Sequence, residues 1–576
     1  MVFLFTKVAE VYSKLESVSS GNKMREILSD LFKIVPYEEI DVVVYLSSGR
    51  IASEFEDINF GIAEKMVMKS LAFASKKSVN EIESMFRKKG DLGDVAKLII
   101  GKAHGTLYVQ ELFDILHKIA KYSGSGSQNQ KIKLIANILE KASPLESKYI
   151  IRIVLGTMRL GVGTMTILDS LSIAYTGKKE NKKILESAYN ICPDIGIIAK
   201  ILATKSLSGI EKIDVMVGRP IKMMLASRIE TLEELHEKMQ RVAAEQKYDG
   251  ERVQIHNDGK KIVLYSRRLE NITSQFPDIV ESAKNNIKAK SYIVEGEIVP
   301  VDAEGNILPF QILMQRRRKY SVEEYMKKVP VCLFLFELLY LNSKSYLNEP
   351  YLNRRNALAL IVKPQPNKIK LANQLLTDDL QKIKQFFLEC LKHGGEGIVA
   401  KSLALSSVYQ AGTRGLFWIK WKKEYVKEMS DTFDLVVVGA FYGRGRRSGS
   451  YGALLCASYN DSAERYETFC KLGTGFSDKQ LKDMPKCLKE YVSLKQPKNV
   501  VASNLMKPDV WFLPHIVIEV FGAEITKSPS HTCAKFVEQG LALRFPRFLR
   551  YRDDKRAEQA TTSEEILKMH KQKMKK

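Results

Sequence analysis

Residues 247–265 read Lys-Tyr-Asp-Gly-Glu-Arg-Val-Gln-Ile-His-Asn-Asp-Gly-Lys-Lys-Ile-Val-Leu-Tyr. Arg252 to His256 and Lys261 to Tyr265 are runs of β-formers flanking Asn257-Asp258-Gly259-Lys260, and an Asp-Gly pair between two such runs is a strong hairpin signal. The hairpin places Lys247 where a strand ends and a loop begins, a good position for a nucleophile. An amine at its ordinary pKa is protonated and inert, so it must be desolvated or crowded by cations before it can attack phosphorus. Arg252, Arg267, Arg268 and the lysines of Trp418-Ile419-Lys420-Trp421-Lys422 are the cations at hand, and they could also hold phosphates and the charge that develops in transfer. Taken alone, the Lys-Tyr-Asp-Gly motif also fits an exposed turn among solvated charges.

Outward from this hairpin the texture divides the chain in three. Residues 1–215 read as helical, with apolar spacing at Val8, Val11, Tyr12 and Leu15 and again at Ile132, Leu134, Ile135, Ile138 and Leu139. Loop signals interrupt them at Lys-Lys-Gly-Asp-Leu-Gly (88–93) and Ser-Gly-Ser-Gly-Ser (123–127). Residues 216–425 mix strands, such as 291–299 and 331–340, with helical stretches such as 378–391. Residues 426–576 open with the strand Leu435-Val436-Val437-Val438-Gly439, then a glycine- and arginine-rich loop at 442–452 and further short strands, which suggests a small β-barrel. A polar, lysine-rich helix with a frayed end is expected from Thr561.

The 576 residues are too many for one compact core. Met-Val-Phe-Leu-Phe is followed at once by Thr6 and Lys7, too short a start for a signal peptide, and no stretch of about 18 apolar residues exists to span a bilayer. Cysteines 192, 332, 390, 456, 470, 487 and 533 form no Cys-x-x-Cys pair, and the eight histidines show no ligand spacing. Scattered thiols fit an intracellular, cytoplasmic protein, and no structural zinc site is expected. Ninety basic against 67 acidic residues leave a net charge of +23, which favours a polyanionic partner. Charge alone does not choose between nucleic acid, an anionic membrane surface and plain solubility.

Lys-Tyr-Asp-Gly-Glu-Arg is followed in order by Tyr265-Ser266-Arg267-Arg268, Val294-Glu295-Gly296-Glu297 and Leu335-Phe336-Glu337-Leu338-Leu339-Tyr340. Glu396-Gly397-Ile398-Val399-Ala400-Lys401 and Trp418-Ile419-Lys420-Trp421-Lys422 complete the series. At these residues the chain resembles the nucleotidyltransferase superfamily of covalent lysine enzymes, and within it the ATP-dependent DNA ligases of the archaeal and eukaryotic replicative type. The resemblance covers nearly the whole chain. It implies an all-α N-terminal DNA-binding domain (1–215), an α+β nucleotidyltransferase or adenylation domain (216–425) and a C-terminal β-barrel of the OB-fold with a tail (426–576). It makes Lys247 the adenylylated nucleophile and Glu245 the reader of the adenine amino group, with Arg252 and Arg267 on ribose and phosphate. Glu297 and Glu396 become the acidic residues near the ribose and a Mg2+ ion, Phe336 the ring stacked on adenine, Lys420 and Lys422 the α-phosphate contacts, and Arg414 a nucleotide-binding arginine. Each residue also has a plainer reading: Phe336 as core, Glu297 and Glu396 as edge charges, the Trp-Lys alternation as an exposed strand.

Flanking segments extend the resemblance. Leu155-Gly156-Thr157-Met158-Arg159-Leu160-Gly161-Val162-Gly163, with Thr166 to Asp169, is similar to the turn of the ligases' helical DNA-binding domain, where backbone amides and Arg159 can meet phosphates without reading bases. Asp431 to Asp434, Gly443 to Arg447 and Lys471 to Phe476 resemble the ligase barrel. Arg544-Phe545-Pro546-Arg547 and Arg552-Asp553-Asp554-Lys555 resemble the family's last motif, which orients the leaving pyrophosphate. Gly218-Arg219-Pro220-Ile221 departs from the family by placing Ile221 and Lys222 between Arg-Pro and Met-Met-Leu-Ala, which bears on packing of the adenine pocket.

The resemblance implies an enzyme that seals nicks in double-stranded DNA with ATP and Mg2+, through lysine-AMP and DNA-adenylate, in replication, repair and recombination. A monomer acting in the cytoplasm at the nucleoid is expected. A sliding-clamp contact suits a replicative ligase, yet residues 110–116 lack the paired aromatics of a clamp peptide, so none is assigned. Two rivals remain. An RNA ligase or capping-type nucleotidyltransferase would lack the helical N-terminal domain, and an idle nucleic-acid scaffold would not need Lys247, Glu297, Glu396 and Lys420 intact.

Overall fold

The computed structural model describes residues 3–56, 58–101, 106–124, 126–229, 231–316, 322–423, 431–443, 450–536 and 539–574. The division expected at 425/426 and most of the 442–452 loop, including Arg444 to Arg447, lie outside them. By packing, the residues up to Arg228 together with His236–Lys420 form one compact unit, and Ile229–Leu235 with the residues from Trp421 onward form another.

The first 210 residues are helical, from Phe5–Glu16 to Ile195–Ile210. The apolar spacing at the start of the chain becomes a buried stripe: Val8, Tyr12 and Leu15 are fully inaccessible and Val11 packs at the margin. Ile135, Ile138 and Leu139 do the same in the helix Ser127–Lys141. Burial of each such side chain contributes roughly 1.5–3 kcal/mol, so tertiary packing and not helix propensity holds these short helices. The loop signal at 88–93 resolves into two caps. Gly90 ends the helix Val79–Lys89 in the left-handed conformation, and the Asp91 carboxylate accepts from the Asp94 amide to start Leu92–Ile99. The turn at 155–163 joins the helices Pro144–Val154 and Thr164–Thr176. Arg159 adopts a positive φ of 55° there, and its exposed guanidinium lies 3.2 Å from Asp91.

The middle region carries β1 (Leu225–Arg228), β2 (Val242–Lys247), β3 (Glu251–Asn257), β4 (Ile262–Ser266), β5 (Tyr292–Pro300), β6 (Val331–Leu341), β7 (Lys344–Ser345), β8 (Ile369–Leu371), β9 (Gln374–Thr377), β10 (Gly397–Ser402) and β11 (Arg414–Lys422). They form two sheets. One has the order β1-β11-β10-β2-β9; the other runs β4-β3-β5-β6-β7 with β8 beside β6. The expected hairpin is β3–β4, with Asn257 paired to Ile262 and an Asp258 carboxylate accepting from the Lys260 and Lys261 amides. One face of the second sheet packs on the helix Pro277–Asn286 through Val253, Ile255, Val294, Leu333 and Leu335.

In the C-terminal unit, β12 (Asp431–Tyr442), β13 (Tyr451–Asn460) and β14 (Arg465–Leu472) form an antiparallel meander. With the strands Val517–Gly522 and Arg547–Tyr551 and a three-stranded sheet from Glu524–Ser528, Cys533–Phe536 and Gln539–Arg544, they enclose Phe433, Leu454, Phe469, Leu541, Leu543 and Phe548. The expected last helix is Ser563–Met574, whose Ile566 is fully buried in that core. Among the described residues no helix is long and apolar enough to cross a membrane. All seven cysteines are free thiols, and only Cys487 is exposed.

Candidate active site

Lys247 is the last residue of β2 in one sheet, and after the three residues Tyr248 to Gly250 the chain enters β3 of the other. The crossing is tight. Tyr248 stacks on Phe334 with centroids 4.2 Å apart, and its hydroxyl accepts from the Asn373 amide at 3.2 Å. A Cβ on Gly250 would come within 2.3 Å of the Ile298 carbonyl oxygen, so the glycine of Lys-Tyr-Asp-Gly is required by a close backbone approach. On β2 the two-residue pleat puts Ala243, Glu245 and Lys247 on one face, and across the ladder they pair with Lys401, Val399 and Gly397 of β10. No side chain on β10 therefore stands directly opposite the lysine.

The Lys247 amine donates to the Glu396 carboxylate, with both side chains about a quarter exposed. Cations were expected to crowd this amine; its first partner is an acid. Glu297, half-buried on β5, has its pKa pushed up to about 8, chiefly by burial; Lys247 and Arg252 pull it down and Glu396 and Glu251 raise it further. Arg252 pairs in register with Glu297. Its guanidinium donates to Glu295 at 2.8 Å and to the Met224 carbonyl at 2.8 Å, and lies 5.5 Å from the Phe336 ring centre and 5.3 Å from that of Trp418. Glu295, wholly buried, also accepts from Gln254 at 3.0 Å and Tyr409 at 2.9 Å. Neither Glu295 nor Tyr409 was singled out from the sequence.

Glu245 lies in a buried network. Its Oε2 is 2.6 Å from the Lys401 amine, and its Oε1 accepts from the Tyr351 hydroxyl and lies 3.4 Å from Gln374 Nε2. Lys401 also donates to the Phe336 carbonyl at 3.0 Å. Burial drives the Lys401 pKa down, against the opposing pull of Glu245 and Glu337. Phe336 is not fully buried; it packs edge-on to Trp418 at 6.3 Å. Lys401 ends the Glu396 to Lys401 motif of the sequence without a role there; the pairing of β10 with β2 sets it two residues beyond Val399, the partner of Glu245, and so on the same face.

Arg267 is exposed just past the end of β4, and Arg414 is exposed at the start of β11, in register with Leu225. Lys420 and Lys422 are half-buried on β11 and alternate with buried Ile419 and Trp421, so the Trp-Lys alternation is a half-covered strand. The structure thus gathers Lys247, Glu396, Glu297, Arg252 and Phe336, and ties Glu245 to Phe336 through Lys401. It places Arg267 and Arg414 at strand ends. Glu396 raises the proton affinity of Glu297, and the two bring only oxygen donors, a set that suits a hard cation such as Mg2+, which takes one or two carboxylates and completes its shell with water and phosphate. Among the described residues no group of three or more His, Cys, Asp or Glu forms a metal cluster. In the C-terminal unit, Arg552 and Lys555 of the last motif converge on Asp434 at 2.8 and 2.7 Å.

Three family descriptions match the chain: "DNA ligase N terminus" at residues 4–172, "ATP dependent DNA ligase domain" at 223–422 and "ATP dependent DNA ligase C terminal region" at 447–555. A protein of Staphylothermus marinus named "DNA ligase" is 44% identical, covering 99% of both chains. A "DNA ligase" of Acidianus ambivalens is 44% identical over 99% of this chain and 98% of its own. A "Probable DNA ligase" of Persephonella marina is 44% identical over 98% of each. The solved structure described as "Pmar-Lig_PreS3" superposes with a TM-score of 0.56 at 18% identity, over 95% of this chain and 99% of that one, a likeness of fold.

Proposed function

The chain belongs to the ATP-dependent DNA ligase family, and from that premise we propose that Lys247 is the residue on which it carries AMP. The enzyme binds nicked double-stranded DNA and joins 5′-phosphate to 3′-hydroxyl ends through lysine-AMP and DNA-adenylate. It uses ATP and Mg2+ and serves replication, repair and recombination. The observation that supports Lys247 is its place at the crossing between two sheets, with Glu396 on its amine and Glu297 beside it.

In the first step the neutral Lys247 amine attacks the α-phosphorus of ATP; an N–P bond forms, the bond to the bridging oxygen breaks, and pyrophosphate leaves. Lys420 and Lys422 balance charge on the α-phosphate, Arg252 and Arg267 orient ribose and phosphate, and Arg414 assists in holding the nucleotide. Glu245 reads the adenine amino group and Phe336 stacks on the ring. Glu297 and Glu396 would hold Mg2+, which would supply positive charge to neutralise the phosphates. In the second step the 5′-phosphate of the nick takes AMP from the lysine. In the third the 3′-hydroxyl attacks that phosphate and AMP departs.

The domains assigned are 1–215 for DNA binding, 216–425 for adenylation and 426–576 for the barrel and tail. A monomer working in the cytoplasm at the nucleoid fits the free thiols and the net charge of +23. Incubation with α-labelled ATP without DNA, followed by denaturation, tests the reading. Label that stays on the protein and maps to Lys247 supports it, and a labelled peptide that lacks Lys247 overturns the assignment.

A further inference from the structure

We infer that Lys401 is the positioning residue that makes this active site prefer a purine with a 6-amino group. The inference rests on the reading of Lys247 and Glu245 given above and adds a residue to which that reading assigns no part.

Lys401 is 1% exposed and touches both elements that would recognise the base. Its amine lies 2.6 Å from Glu245 Oε2 and donates at 3.0 Å to the carbonyl of Phe336. Glu245 and Phe336 belong to different sheets, on β2 and β6, so a single ammonium bridges the carboxylate that would accept from the amino group and the strand that carries the stacking ring. The same ammonium lies over the rings of Trp418 at 4.4 Å, Tyr351 at 4.9 Å and Phe336 at 5.0 Å. Three aromatic faces around a buried cation leave it little freedom to move.

The charge matters as well as the geometry. An ionised carboxylate accepts and never donates, and a 6-amino group offers donors. Glu245 is 2% exposed, where a carboxylate needs partners that replace the water it has lost. Lys401 is the nearer of its two cations, 2.6 Å from Oε2 against 4.0 Å from Arg355 to Oε1, and it holds Oε2 where it can accept from a donor on the base. Tyr351 donates to the other oxygen, so the hydroxyl and the lysine together fix the orientation of the carboxylate. A site built around a buried acceptor discriminates strongly against a ligand that lacks the matching donor, because the acceptor is then left without a partner.

The test compares rates of enzyme labelling from α-labelled ATP and from α-labelled purine riboside triphosphate, which lacks only the 6-amino group. The full-length proteins are wild type, Lys401→Met and Lys401→Gln, a shorter neutral side chain that leaves Glu245 in place. Wild type should favour ATP by at least tenfold. Lys401→Met should bring the two substrates to within about threefold by losing rate with ATP while keeping rate with the desamino nucleotide, and Lys401→Gln should show the same loss of preference. A residue with only a structural role would lower both rates together, so an unchanged ratio in whichever variant is folded by circular dichroism overturns the proposal. Wild type that labels from both nucleotides equally overturns it too, whereas wild type that labels from neither overturns the reading of Lys247 instead.

Discussion

Lys247 and Glu396 are joined twice: the Glu396 amide donates to the Lys247 carbonyl at 2.8 Å, and the Lys247 amine donates to the Glu396 carboxylate. The backbone bond ends the β2–β10 ladder at the residue that precedes Gly397. The nucleophile candidate and its acidic neighbour are thereby held at the rim of one sheet, where the chain leaves for the other.

Replacing Lys247 by Arg or Ala should abolish labelling by α-labelled ATP while leaving the fold intact. Arginine can keep the ion pair with Glu396, yet its guanidinium does not lose its proton and cannot attack phosphorus. Autoradiography after denaturation is the measurement, and retained label in either variant would remove Lys247 from its role.

Lys555 provides a test of the first step alone. In the C-terminal unit Asp434 is shared by Arg552 and Lys555, so Lys555→Ala leaves the carboxylate paired and the core intact. Labelling from ATP should fall on the order of 10- to 100-fold, because the leaving pyrophosphate loses a cation. Joining of a chemically pre-adenylylated nick should fall far less. Equal losses in the two rates would show a general supporting role.

His256 should make stability depend on acid. Its Nδ1 accepts from the Gly218 amide at 3.1 Å, its Nε2 is 2.8 Å from Gln254 Oε1, and Tyr265 stands edge-on at 5.0 Å. Protonating Nδ1 would point one N–H at another, and burial lowers the pKa from its ordinary 6.5 to about 3. A depressed pKa means the stabilisation is complete above 6.5 and drains as the pH falls towards 3, with a slope of up to about 1.4 kcal/mol per pH unit from this group. Thermal melts between pH 7.5 and 4 should show a shallower fall for His256→Gln than for wild type; parallel curves would count against the histidine.

Arg159 offers a reading of DNA contact. It is 58% exposed on the glycine-rich turn, and its partner Asp91 keeps a second cation in Arg152. Arg159→Ala should weaken binding to nicked duplexes of any sequence alike and reduce the slope of log affinity against log salt by about 1. Labelling by ATP should not change. A salt slope identical to wild type would place the turn off the DNA.

What was legible in the sequence was local or ordered along the chain. Helical periodicity reports a buried stripe because side chains three and four apart share a face, as Val8, Tyr12 and Leu15 do. Asn257-Asp258-Gly259 reports a turn because few residue types accept that backbone, and the order of the motifs pointed to Lys247 and its companions through resemblance. Tertiary structure alone decided the partners. Lys247 meets a carboxylate 149 residues away instead of the expected cations, and Tyr351 reaches Glu245 across 106 residues. Arg252 spends its bonds on Glu295 and Met224, and Lys401 bridges two sheets. Residue type and spacing show which face of a strand a side chain takes, but which strands lie side by side, and in what register, follows from burying the apolar faces of both sheets at once, a property of the whole chain and not of any stretch of it.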